Sequence, residues 1–182
     1  GRMTAALEIA PKNVLLLVIK SFIVGASWTA TYLALRTLPI TCAAPIRASG
    51  PFWTLIGAVL IFSEIPNLIQ GVGMAFVLAG CIFFSLSSSK DRSAGGLKAV
   101  LLAFLGTVLG SCSALYDKHL MQGLGIAPVT VLWWFLGGMM VMYAILAAFN
   151  HRGFQWRFTM PLTGILLTAS DAFYFTASAI PD

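Results

Sequence analysis

The chain has 182 residues, of which 59% are hydrophobic and only 9% charged. Soluble domains carry roughly 25% charged residues, and a small domain leaves much of its surface in water, so this composition excludes a soluble fold. The net charge of +5 does not indicate a nucleic-acid partner, because the 11 Lys and Arg stand singly between apolar runs and form no basic stripe.

Six apolar segments follow one another at 13–36, 40–63, 67–87, 97–117, 127–149 and 161–180. Each approaches the roughly 20 residues an α-helix needs to cross the hydrocarbon core. The chain therefore reads as all-α, a polytopic transmembrane helix bundle with the lipid bilayer as its solvent. Short Pro- and Gly-bearing breaks separate the segments, which makes consecutive helices antiparallel neighbours. Cys42, Cys81 and Cys112 fall inside apolar runs without a CxxC, so they read as packing residues and not as a disulfide or zinc framework. The start, Gly1-Arg2-Met3-Thr4, has no signal-peptide pattern, and both ends read as cuts within a longer protein.

In the first segment, Ser21, Gly25, Trp28 and Tyr32 share one helical face. Trp and Tyr can stack on an organic solute and donate a hydrogen bond, a reading favoured here over an interfacial aromatic belt. Lys20 lies near this face, about 10 Å from a helix end at 1.5 Å per residue. In the second segment Pro45 and Pro51 flank Arg47. Each proline frees a carbonyl in the preceding turn, and the guanidinium could satisfy such groups or recognise an anionic solute. Snorkelling of either long basic stem toward the interface is the bland alternative.

The third and fourth segments carry small residues four apart, Gly71, Ala75 and Ala79, then Gly106, Gly110 and Ala114. Lipid gives no hydrophobic drive for helix association, so such stripes predict tight pairing. Tyr116-Asp117-Lys118-His119 reads as a solvated helix-end cluster, Glu64 as a helix-end polar residue, and Trp133 and Trp134 as belt or packing residues. In the sixth segment Thr168, Asp171, Tyr174 and Ser178 form one polar stripe. Asp171 lies about 15 Å deep, too far for a carboxylate to reach water along its own stem. It either faces a watered cavity, binding a cation or carrying a proton, or fastens two helices; Lys20 and Arg47 are both open as its basic partner.

Residues 29–39 align with 171–181 through Ala30 and Ala172, Tyr32 and Tyr174, and Pro39 and Pro181. The offset of 142 residues spans five predicted helices, an odd count, so the copies run in opposite senses, as in inverted-repeat transporters. The run from Tyr32 through Arg36, Pro39, Pro45 and Pro51 to Phe62-Ser63-Glu64, followed by Gln70-Gly71, Gly73 and Ala79-Gly80, resembles the EamA domain of the drug/metabolite transporter superfamily. Pro51, Glu64, Gln70, Gly71 and Gly80 carry the resemblance. It implies a ten-helix inverted-repeat protein, with residues 1–88 holding helices three to five of the first repeat, 89–96 the connection, and 97–182 helices one to three of the second.

The resemblance further implies a permease of the cytoplasmic membrane that moves a small metabolite, amino acid or drug-like solute, without cofactor or metal. A homodimer stays open as its assembly. The charge count and the resemblance give opposite orientations, since Arg36, Lys90, Arg92, Lys98, Arg152 and Arg157 share one predicted face. The competing functions are an intramembrane lipid-modifying enzyme and a non-transporting scaffold. The former is disfavoured by widely separated carboxylates and by the lack of an HExxH, with His119 and His151 both in predicted loops.

Overall fold

A computed structural model describes residues 11–63, 65–87, 96–149 and 159–178. The helices are α1 (Pro11–Leu35), α2 (Ile40–Ala48), α3 (Gly50–Phe62), α4 (Leu68–Ser87), α5 (Gly96–Lys118), α6 (Pro128–Phe149) and α7 (Thr159–Ser178), and a π-helical turn, His119–Gly123, continues α5. No strand occurs among the described residues. Helix is the form that satisfies every backbone group within one segment, which is what an apolar chain in lipid requires.

Local chemistry sets the ends. Pro128 opens α6, where the missing N–H is no loss. Asn67 and Gln70 form a reciprocal capping box at α4: the Gln70 N–H donates to Asn67 Oδ1 at 2.8 Å and the Asn67 N–H to Gln70 Oε1 at 3.0 Å. Gln70, a residue of the family resemblance, thus has a local structural task. Gly125, at φ 65°, turns the chain between the π turn and α6 in a conformation other residues rarely adopt.

Among the described residues, four stretches are long and apolar enough to cross a membrane: Asn13–Leu35, Ile40–Phe62, Gly96–Gly123 and Pro128–Ala148. The six predicted segments all contain helix, yet two are less apolar or shorter. The described apolar part of α4 is Leu68–Phe83, and Thr163, Thr168, Ser170, Asp171 and Tyr174 dilute α7.

The chain divides into two compact units. Unit one comprises the first part of α1 up to Phe22 and everything from Tyr116 onward; unit two spans Ile23–Leu115. In unit one, Leu17, Leu120, Val131, Phe135, Met139 and Phe175 are buried. In unit two, Ala34, Leu38, Ala43, Ala99 and Ala103 form a core of small side chains, with Cys42, Ile46 and Leu102 packed against it. A core built from alanines brings backbones close, the packing mode of membrane helices.

Unit two also explains the second segment, read as one helix and observed as two. Pro51 stands in the first turn of α3, and Ser49 joins the pieces with its N–H directed to the Pro45 and Ile46 carbonyls. Side chains take up the polar groups near the break: Ser49 Oγ donates to the Ile46 carbonyl at 2.6 Å, Trp53 Nε1 to Ser49 Oγ at 3.2 Å, and Ser111 Oγ to the Gly50 carbonyl at 2.9 Å.

The predicted stripe of α4 requires correction. A Cβ added at Gly71 would have nothing within 4 Å, so among the described residues Gly71 pairs with no neighbouring helix. The side of α4 that packs carries Met74, Val77, Leu78 and Cys81, whose Sγ donates to the Pro45 carbonyl at 3.5 Å. Two glycines of the α5 stripe meet α1 closely and not the stripe of α4. A Cβ at Gly106 would collide with Thr31 Oγ1 and approach the Ser27 carbonyl oxygen at 3.0 Å, and one at Gly110 would lie 3.3 Å from Ser27 Oγ. Glu64 lies outside the described residues.

Candidate functional site

The most polar place in unit one is built around Lys20. Its ammonium is buried, with 2% of the side chain exposed, and it forms an ion pair with Asp117, whose side chain is 5% exposed. The Lys20 Nζ also lies over two rings, 5.1 Å from the centroid of Phe135 and 4.7 Å from that of Phe175. The two rings are themselves neighbours, with centroids 6.2 Å apart at 51°. The ammonium thus sits in a box of one carboxylate and two aromatic faces, each of which attracts a cation.

Four helices contribute to this box. Lys20 comes from α1, Asp117 from the end of α5, Phe135 from α6 and Phe175 from α7. Two close contacts hold the helices in place. Tyr116 Oη donates to the Leu16 carbonyl at 3.2 Å. A Cβ added at Gly138 would come within 2.6 Å of Ser21 Cβ, so α1 and α6 meet where only hydrogen fits. Ser21 is buried and donates to the Leu17 carbonyl at 3.1 Å, directing its hydroxyl into its own helix.

Asp171 is the second carboxylate. It lies within electrostatic reach of both Lys20 and Asp117, one helical turn from Phe175 and partly open to the exterior. No hydrogen bond joins it to another side chain among the described residues. Tyr174 stands beside it, 43% exposed, with its ring 5.5 Å from that of Phe175 in an edge-on arrangement. Lys20, Asp117 and Asp171 together hold one positive and two negative formal charges.

The remaining predicted residues have other places. Thr168 is exposed on α7. Trp28 and Tyr32 are 40% and 63% exposed, so their faces point away from the core of unit two. Arg47 donates from Nη1 to Thr31 Oγ1 at 2.8 Å, which ties α2 to α1 beside the Gly106 contact. Lys20 is therefore the basic group brought to the carboxylates, and its ion pair goes to Asp117.

Asp117 is the residue that sequence reasoning missed. It was expected in a solvated helix-end cluster, whereas α5 continues past it and the π turn buries Leu120 and Met121. Those two apolar residues, directly after the charged tetrapeptide, were the available signal. Among the described residues, no group of three or more His, Cys, Asp or Glu could hold a metal ion. No protein-family model, no curated protein and no solved structure shows a match to this chain.

Proposed function

We propose that the chain belongs to a secondary transporter, a permease of the EamA type that carries a small organic solute across the cytoplasmic membrane. The observation that carries this reading is the buried ion pair of Lys20 and Asp117, in two helices otherwise apolar enough to lie in lipid, with Asp171 of α7 within electrostatic reach. Ionisable groups at such depth are costly, and their common use in polytopic proteins is to bind or relay something polar. On this reading α4 and α7 also cross the bilayer, giving six spans of a ten-helix inverted repeat.

The test is flux. The full-length protein, reconstituted in liposomes, is offered a panel of labelled amino acids, amines and sugars. Saturable uptake of at least one of them is expected, falling at least tenfold in Asp117→Asn and in Asp171→Asn. Uptake that is unchanged in both variants would remove this site from the transport path.

A further inference from the structure

The Lys20 box states a chemical preference that the transporter reading leaves open. Its contents are an alkylammonium, a carboxylate and two ring faces at 4.7 and 5.1 Å. Rings select weakly hydrated organic cations, because the quadrupole attraction is lost when a water shell intervenes. The chain's own lysine is therefore a tethered sample of the ligand class such surroundings hold.

The charge balance adds a second, independent point. One ammonium faces two carboxylates. Asp117 is matched by Lys20; Asp171 has no hydrogen bond to another side chain among the described residues and is partly open to the exterior. An unbalanced negative charge in a low-dielectric setting calls for a cation. On the same helix, one turn from Asp171, the exposed Tyr174 presents its ring, which stands edge-on at 5.5 Å to the buried Phe175. A carboxylate and an aromatic side chain thus recur on the open side of α7, as they do in the buried box around Lys20.

We propose that the solute is an organic ammonium ion, received by the Asp171 carboxylate and the Tyr174 ring one turn along α7, while Lys20 remains paired with Asp117. This inference rests on the transporter reading and names its solute class. An anionic solute would approach two carboxylates whose one nearby counter-ion among the described residues, Lys20, is already paired, and a neutral solute would leave the surplus charge unbalanced. A small metal ion requires several oxygen ligands in place of its water, which one rim carboxylate does not supply.

Three probes of similar shape and different charge decide the matter: benzylammonium, benzyl alcohol and benzoate. Each is titrated into the purified chain in detergent near neutral pH, with thermal unfolding and calorimetric binding as readouts. Benzylammonium is expected to bind and to raise the unfolding temperature in proportion to its concentration, as a ligand of the folded state does. The alcohol and the benzoate are expected to do neither. Asp171→Asn, which keeps the side chain's shape, is expected to weaken benzylammonium at least tenfold, and Asp171→Glu to retain binding.

Binding of benzoate in place of the amine, binding of none of the three, or amine binding indifferent to Asp171→Asn would each overturn the inference. So would stabilisation by acid alone without amine binding, because a proton would then supply the missing positive charge. The two readings fail separately. Asp171-dependent flux of an anion would leave the transporter and remove the ammonium, whereas amine binding by a protein that moves no solute would leave the site and remove the transporter.

Discussion

Lys20 is a long cationic side chain that does not snorkel, although its position along α1 allowed that. Its stem ends in a place where the ammonium gains Asp117 and two ring faces, and those contacts replace the water it gives up. Removing one partner of such a pair leaves the other charge buried and unpaired, at a cost of about 3–5 kcal/mol, whereas apolar replacement of both is often neutral. Lys20→Met is therefore expected to destabilise the purified protein by about that amount in reversible unfolding from detergent micelles. The double variant Lys20→Met with Asp117→Leu should recover most of the loss. If the double variant is as unstable as the single one, the pair is not the unit of stabilisation that the geometry implies. The same residues show where sequence reasoning runs out. Charge at depth marked Lys20 and Asp171 as groups in need of an account, but 97 positions separate Lys20 from Asp117. Nothing short of the fold pairs them. Asp117 was hidden for a further reason: a Tyr-Asp-Lys-His run looks like a helix end, and a π-helical turn carries the chain past it.

At the scale of the helix, the informative residues are those without side chains. Gly106 and Gly71 both stand in small-residue stripes, and a sequence pattern cannot tell them apart. Their surroundings can. Gly106 is pressed against the backbone and hydroxyls of Ser27 and Thr31, and Ser27 Oγ donates to the Gly106 carbonyl at 2.6 Å. Gly71 faces open space because α4 packs through Met74, Val77, Leu78 and Cys81. Periodicity shows that a helix has a small-residue face; the neighbouring helix decides whether that face is used. Two substitutions separate the cases. Gly106→Ala is expected to destabilise by about 1–3 kcal/mol, the usual cost of forcing extra volume into a close contact. Gly71→Ala is expected to be neutral or stabilising by up to about 1 kcal/mol, since alanine restricts the unfolded chain and meets no obstacle. Equal losses at both positions would mean that α4 has a partner on its glycine side. The second segment reads as one helix, but Pro45 and Pro51 mark where it loses backbone hydrogen bonds. The structure adds how Ser49, Trp53 and Ser111 bring hydrogen bonds to that region.

For the whole molecule, the physical question is how often the chain crosses the bilayer. Composition made the helical class legible at once, because an apolar chain must satisfy its own backbone. The number of crossings is less legible, because hydropathy weighs length and polarity together and two helices fall near the edge. A helix of 20 residues such as Leu68–Ser87 spans about 30 Å, the thickness of the hydrocarbon core. Its exposed Ile69, Val72, Phe76 and Phe83 suit lipid along most of that length. The capping box of Asn67 and Gln70 begins the helix with polar groups, as a helix emerging at the interface would. These features favour α4 as a crossing and not as a helix lying on the surface, where one polar face is required and none is present. Cysteine labelling with an impermeant thiol reagent distinguishes the two. In a chain freed of its native cysteines, Asn67→Cys and Leu97→Cys are expected to be labelled from opposite sides of the membrane. Labelling of both from the same side would return α4 to the interface and make the number of spans before α5 even. The following helices would then be inverted, and with them the side from which Asp171 and Tyr174 are reached. The membrane orientation of the proposed ammonium site therefore depends on whether α4 crosses.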